Sequence, residues 1–190
     1  MILPIRAYGD TVLRKKAHDI SPDYPELKEL VSNMFDTMNA AHGIGLAAPQ
    51  IGLDIRLFVV DVTPLADDED YEDIAEELKD FKKVFINAKI LEESGNEWKF
   101  NEGCLSIPDV REDVSRKETI LIEYYDENFV KHTETFSDIR ARVIQHEYDH
   151  IEGILFTDKL SPLKKKIIKG KLNKITSGDI SVSYKMRFPK

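Results

Sequence analysis

The chain has 190 residues, of which 42% are hydrophobic and 33% charged, and its formal net charge is −8. The length suits one domain. The composition excludes an intrinsically disordered chain, a membrane bundle and a protein that coats nucleic acid over its whole surface. A single cysteine excludes an intramolecular disulfide and favours a reducing compartment. The N-terminus, MILPIRAYGD, does not predict a signal peptide, and no apolar run approaches transmembrane length.

The first half of the chain predicts a helix, a loop of small residues and a strand. Apolar residues at helical spacing predict an amphipathic helix over residues 21–41, with Gly43 as its stop. The small-residue segment GIGLAAPQIG occupies residues 43–52, and IRLFVVD at residues 55–61 has the β-branched content of a buried strand. Nine acidic residues and one lysine in residues 66–80 predict a solvated insertion without chemistry.

The second half predicts strands followed by two helices. The segments rich in β-branched and aromatic residues are 83–91, 118–126 and 128–136, and the last two predict a hairpin. Ser137 or Asp138 as the cap and Gly153 as the stop predict a second helix. Ser161 and Pro162 predict the first turn of a basic third helix.

The sharpest motif is HEYDH at residues 146–150, inside the second predicted helix. Histidines four residues apart lie on one helical face and can bind one metal ion, while the glutamate between them can reach a metal-bound water. A catalytic site of this kind needs a third protein ligand. Glu152 and Asp158 are nearby carboxylates, but Cys104 in EGCLSIP is the better candidate, although lone cysteines are more often small buried hydrophobes.

The segment GIGLAAPQIG also matches the dinucleotide fingerprint G-x-G-x-x-G/A through Gly43, Gly45 and Ala48. That fingerprint requires a preceding strand and a following helix, whereas here a helix precedes and Pro49 and a strand follow. We therefore interpret the segment as one whose backbone can pair with an extended ligand, and Gln50 as an amide that can donate a hydrogen bond to an oxyanion.

Together, GIGLAAPQ, EGCLS and QHEYDH resemble the three signature motifs of the peptide deformylases. The resemblance implies a metal-dependent hydrolase that removes the N-formyl group from the formylmethionine of newly synthesised polypeptides and releases formate. It implies that Cys104, His146 and His150 bind the metal. It also implies that a metal-bound water attacks the formyl carbon, with Glu147 as general acid/base.

The resemblance assigns further residues to substrate binding. Gln50 and the backbone N–H of Leu105 would stabilise the oxyanion, and Gly45 would hold the substrate backbone. The residues expected around the methionine side chain are Ile44, Ile139 and Val143. The ligand set suits zinc, iron(II), nickel or cobalt; the resemblance points to Fe²⁺ in the cell, with Zn²⁺, Ni²⁺ or Co²⁺ as substitutes.

The irregular order of strands and helices predicts an α+β fold. With the resemblance, we expect residues 1–190 to form a single domain with mixed or antiparallel sheets packed around a central helix that carries the HExxH motif. Three alternatives stay open at this point. One is an HExxH metalloprotease with its third ligand beyond His150, and the second is a non-catalytic module with a structural metal. In the third, Cys104 is a covalent nucleophile and His146 its base.

Residues 159–190 contain ten Lys or Arg against Asp179 alone. This basic segment is either a solvated helix or a contact with ribosomal RNA near the exit of the nascent chain. The expected substrate is the formyl-Met nascent polypeptide, and we expect neither a membrane partner nor specific DNA. Because no transit peptide is predicted, we expect a bacterial cytoplasmic location.

Overall fold

In the computed structural model, which describes residues 1–189, strands and helices follow each other without regular alternation. The strands in this range are β1 Ile5–Arg6, β2 Gly45–Ala47, β3 Leu57–Asp61, β4 Lys82–Cys104, β5 Ile107–Tyr125, β6 Lys131–Ser137 and β7 Met186–Arg187. The helices are α1 Leu27–Ala40, α2 Ala75–Leu78, α3 Asp138–Ile151 and α4 Pro162–Ser177. The predicted α+β class is confirmed.

The strands form one antiparallel sheet and one parallel pair. The sheet has the order β2-β3-β4-β5-β6, and β4 and β5 are long neighbours whose hairpin closes where Cys104 pairs with Ile107. The parallel pair joins the two ends of the chain, since Ile5 in β1 lies opposite Met186 in β7. The N–H of Tyr8 donates to the carbonyl of Ser106 at 2.8 Å, so the paired chain ends lie beside the tip of this hairpin.

Helix α1 is shorter at its N-terminus than the apolar spacing predicted. It begins at Leu27 rather than at residue 21, because Pro22 and Pro25 interrupt the preceding segment. At the other end the left-handed residue is His42, with φ 56°, and not Gly43. The N–H of Gly43 donates to the carbonyl of Met38 at 2.9 Å, which closes the helix as a Schellman motif does.

Helix α3 begins and ends where its predicted caps lie. Ser137 is the N-cap residue, but the side chain that accepts from the first turn is that of Asp138, which takes the N–H of Arg140 at 2.9 Å. Gly153 follows the helix with φ 75°. The helix is buried along most of its length and packs on β2, β3, β5 and β6.

The two charged segments lie on the surface. Residues 69–74 form a 3₁₀ turn whose acidic side chains are exposed, and Leu78 in α2 anchors the segment in the core. On α4 the buried apolar side chains are Ile168, Leu172 and Ile175, whereas Leu163 and Ile167 are about two-thirds exposed, at 68% and 67%. Within residues 1–189, the helices lack the length and apolarity that a membrane span requires.

Candidate metal centre

Cys104, His146 and His150 meet beside α3. Cys104 ends β4, and the two histidines lie one turn apart on α3, so their ring centroids are 5.1 Å apart. The nearest donor atoms of the three side chains lie within 4.8 Å of one another, and Cys104 Sγ is 3.3 Å from His150 Nε2. The structure thus brings together the three residues that the resemblance assigns to a metal.

The alternative carboxylates lie in ion pairs elsewhere. Glu152 accepts a hydrogen bond from Arg56 at 2.6 Å, and Asp158 pairs with Arg14. Neither belongs to the cluster of donor atoms. A third ligand from the β4–β5 hairpin, rather than from the chain after His150, therefore fits this geometry.

Glu102 holds the first of the two histidines in place. Its Oε2 lies 3.0 Å from His146 Nδ1, which leaves the other ring nitrogen of His146 as the atom available to a ligand. Arg116 donates two hydrogen bonds to Glu102, at 2.7 and 3.0 Å, and a third to Asp149 at 2.7 Å. Arg142 also donates to Glu102, at 2.9 Å. This network ties β4, β5 and α3 together directly behind the histidine.

The charges of this network are buried and paired. Glu102 is 4% exposed and Arg116 7%. Burial opposes ionisation of Glu102, but the hydrogen bonds from His146 and Arg116 outweigh it and hold the pKa of Glu102 below its ordinary value. The carboxylate therefore stays charged and presents a fixed acceptor to the imidazole of His146.

The pKa values of the two histidines are shifted in opposite directions. Burial lowers the pKa of His150 well below its usual value, and the positive charges of His146 and Arg116 lower it further, so its imidazole is neutral. Burial also opposes protonation of His146, but its hydrogen bonds to Cys104 and Glu102 outweigh that effect and raise its pKa. Among the described residues, the buried Nδ1 of His150 has no hydrogen-bond partner. Without a bound ion, His146 thus carries the proton beside Glu102 and His150 is neutral, and a metal ion would bind in place of that proton.

Glu147 lies between the histidines and faces β2. It is 3% exposed, and its Oε2 has no hydrogen-bond partner in the described part of the chain. A Cβ atom on Gly45 would lie 2.8 Å from Glu147 Cδ, so only glycine leaves room for this carboxyl. Burial raises the pKa of Glu147 to about 7. Near neutral pH, such a carboxyl can take up and release a proton.

Gln50 is oriented by its own loop. It lies in the 3₁₀ turn Ala48–Ile51 and is 1% exposed. Its Oε1 accepts the N–H of Ala47 at 2.8 Å, which turns its NH₂ group toward Ser106 Oγ at 3.3 Å and Cys104 Sγ at 3.5 Å. The amide therefore presents a donor beside the metal-ligand cluster.

A cavity of about 470 Å³ opens beside these side chains. Gly45, Gln50 and Leu105 line it together with Cys104, His146 and Glu147, whereas His150 is buried and does not. Of the residues expected around a methionine side chain, Ile44 and Val143 line the cavity. Ile139 does not: it is 1% exposed and packs in the core one helical turn before Val143.

Sequence reasoning assigned no role to Glu102, Arg116, Arg142 or Tyr184. Glu102 begins the EGCLS motif, and its position two residues before Cys104 could have marked it as a site residue. Its hydrogen-bond partners lie on other elements and could not be identified in this way. Arg116 and Arg142 have no local pattern that marks them. Tyr184 lines the cavity from the C-terminal segment, and its hydroxyl donates to the carbonyl of Leu105 at 2.7 Å.

Comparison with known proteins gives consistent matches. A family model described as polypeptide deformylase matches residues 2–166. A peptide deformylase of Christiangramia forsetii is 65% identical over 190 residues, which cover 100% of this chain and 97% of the relative, and one of Flavobacterium johnsoniae is 62% identical over 189 residues, covering 99% and 96%. The crystal structure of a peptide deformylase from Legionella pneumophila superimposes with a TM-score of 0.79 at 36% identity, covering 94% of this chain and 98% of that one.

Proposed function

The chain belongs to the polypeptide deformylase family, and we propose that Cys104, His146 and His150 hold the metal ion of its reaction while Glu147 moves the proton. The enzyme is a hydrolase that removes the N-formyl group from newly synthesised polypeptides. The observation that carries the residue assignment is the convergence of one thiol and two imidazoles, with donor atoms within 4.8 Å of one another, at a cavity whose wall includes Cys104 and His146.

The donor set fits a divalent transition metal. One sulfur and two imidazole nitrogens suit zinc, iron(II), nickel and cobalt. The hydrogen bond between His146 Nδ1 and Glu102 is the outer contact that fixes such a ligand. We propose Fe²⁺ in the cell, with Zn²⁺, Ni²⁺ or Co²⁺ as substitutes; the donor set admits all four, and the family resemblance favours iron. An ion held there supplies Lewis-acid chemistry.

Glu147 is the proposed general acid/base. Its buried carboxyl faces the cavity beside the cluster and lies against Gly45, where a substrate backbone would pass. From this position it accepts the proton of the attacking water and passes it to the nitrogen of the leaving amine. The products are formate and a polypeptide with a free N-terminus.

Gln50 and Leu105 are the proposed donors to the oxyanion. The Nε2 of Gln50 is already aimed at the cluster, because its carbonyl is held by Ala47. The backbone N–H of Leu105 comes from the turn directly after Cys104, on the wall of the same cavity. Donors fixed in advance need no reorganisation when negative charge develops on the formyl oxygen.

Ile44 and Val143 are the proposed walls of the methionine pocket, and Gly45 binds the substrate backbone. All three line the cavity. Ile139 supports Val143 from the core rather than contacting the substrate. We also propose that α3 is the central helix of the single catalytic domain, residues 1–190; its burial and its packing on β2, β3, β5 and β6 support this.

We propose that the basic segment 159–190 contacts ribosomal RNA. Its lysines on α4 are mostly exposed, and its charge opposes that of the rest of the chain; Lys190 lies outside the described residues. Replacing Lys165, Lys166 and Lys169 with glutamate should reduce co-sedimentation with ribosomes and flatten its salt dependence. Ribosome binding equal to that of the wild type would overturn this proposal. The bacterial relatives support a bacterial cytoplasmic location.

The central test is Glu147→Gln, which keeps the size of the side chain and removes its basicity. With metal content held equal to that of the wild type, formate release from a formyl-Met peptide should fall by about 10²- to 10⁴-fold. A variant that releases formate at the wild-type rate would contradict the role of Glu147. Cleavage of internal bonds in an unformylated peptide would instead favour a metalloprotease.

A further inference from the structure

The turn that carries the metal-ligating cysteine is held by both ends of the chain. The N–H of Tyr8 donates to the carbonyl of Ser106 at 2.8 Å. The hydroxyl of Tyr184 donates to the carbonyl of Leu105 at 2.7 Å. Ser106 Oγ also receives the hydrogen bond from Gln50 at 3.3 Å. The backbone after Cys104 is therefore held by two hydrogen bonds, and the side chain of Ser106 by a third.

The C-terminal segment is itself anchored, so Tyr184 has a defined position. The segment returns along the N-terminal strand β1, where the N–H of Ile5 donates to the carbonyl of Lys185 at 2.9 Å and that of Ala7 to the carbonyl of Arg187 at 3.0 Å. Phe188 packs on the cluster of buried residues that includes Leu172 of α4. Two backbone hydrogen bonds thus anchor Lys185 and Arg187, directly after Tyr184.

Tyr184 lies outside the part of the chain that carries the family motifs. The family model ends at residue 166, eighteen positions earlier. Even so, Tyr184 lines the same cavity as Gln50 and Glu147. Its hydroxyl holds the carbonyl of Leu105, the residue whose own N–H is the proposed donor to the oxyanion.

We propose that Tyr184 is a positioning residue of the deformylase reaction. By holding the Leu105 carbonyl, it restrains the backbone of Leu105 and so the orientation of the preceding peptide group, whose N–H is the proposed donor to the oxyanion. The inference rests on the proposed function of that N–H. The hydrogen bond from an oxyanion donor depends on the position of its N–H. A small displacement of that N–H weakens the hydrogen bond to the charged transition state but leaves binding of the uncharged substrate almost unchanged. The C-terminal segment is thereby a working part of the active site.

The test compares Tyr184→Phe, which removes one hydroxyl, with Tyr24→Phe, which removes one beside a separate surface groove. Both variants are loaded with the same metal, and metal content and thermal unfolding are measured before activity. With a formyl-Met peptide at a temperature well below unfolding, kcat of Tyr184→Phe should fall about tenfold while KM stays within about twofold. Tyr24→Phe should match the wild type, and both variants should hold one metal ion per chain.

A double-mutant cycle sharpens the test. If Tyr184 acts on the oxyanion, its effect should be smaller in a Gln50→Ala background than in the wild type, because both donors serve the same charge. An unchanged kcat, a rise in KM alone, or a loss of bound metal in Tyr184→Phe would overturn the inference. If Tyr184→Phe is fully active while Glu147→Gln is inactive, the inference fails and the proposed function stands. If Glu147→Gln is itself fully active, the proposed role of Glu147 is contradicted whatever the result for Tyr184→Phe.

Discussion

The metal centre and α4 use charge in opposite ways. At the centre, Glu102, Arg116 and Asp149 are each at most 8% exposed, and each is hydrogen-bonded to a charged partner. On α4, lysines such as Lys165 and Lys169 project into solvent around a short buried stripe. Removing the partner of a buried charge lowers the free energy of unfolding strongly, whereas water screens an exposed charge and makes the same change small. The same residue types should therefore respond very differently to substitution in the two regions.

The largest loss of activity is expected when one of the metal-binding side chains is removed. His146→Ala removes one of three donor atoms, and metal affinity should fall by more than about a hundredfold, since even losing an outer partner costs 10- to 100-fold. Formate release should fall to background. His18→Ala, at an exposed position away from the centre, is the control and should keep both properties. Metal content after dialysis checks the result, and a fully loaded His146→Ala would remove this residue from the ligand set.

The next effect concerns stability. Arg116→Met leaves Glu102 and Asp149 buried without their shared partner, and the free energy of unfolding should fall by about 3–5 kcal/mol. The same substitution on α4, Lys165→Met, should change it by less than about 0.5 kcal/mol. Urea unfolding of both metal-loaded variants measures the two values. Equal losses would show that the centre and α4 do not differ in the way proposed.

Gln50→Ala tests the oxyanion donor. The rate constant for formate release should fall by about 10²- to 10³-fold, with metal content unchanged. Gln145→Ala is the matched control, because this glutamine is also buried but donates to Glu93 rather than toward the cluster. A similar loss in both variants would point to general destabilisation instead of a role for Gln50.

The smallest effects come from a pair of glycines. In Gly45→Ala the new methyl group meets the Glu147 carboxyl, which must move, and kcat should fall about tenfold. On α4, the added Cβ of Gly170→Ala meets nothing within 4 Å, so this variant should keep its activity and gain about 0.5–1 kcal/mol of stability. Steady-state kinetics and thermal unfolding measure both. An active Gly45→Ala would show that the carboxyl can shift without cost.

The sequence predicted the features that depend on local spacing. Histidines at positions i and i+4 of a capped helix must share a face. The hairpin that carries Cys104 at its tip was not predicted, because β4 and β5 extend well beyond the segments rich in β-branched and aromatic residues. Helix α1 was predicted to begin too early, at residue 21, although its apolar stripe starts only at Leu27, after Pro22 and Pro25. Ile139 lies on the predicted face of α3, but one turn deeper in the core than the cavity.

The contacts that depend on distant pairing could not be predicted. Arg116 reaches Asp149 across 33 positions, and only the packing of β5 on α3 brings them together. Tyr184 reaches Leu105 across 79 positions through the pairing of β1 with β7, which no composition or periodicity signals. Motifs thus indicated the reacting groups, whereas the residues that hold those groups in place are brought together only by the tertiary fold.

The most direct test of the account is formate release from a formyl-Met peptide by the wild-type enzyme, measured before chelation, after chelation and after a divalent metal is restored. Release should stop when the metal is removed and return with Fe²⁺, Zn²⁺, Ni²⁺ or Co²⁺. Formate release that persists without metal would contradict it and would favour Cys104 as a covalent nucleophile.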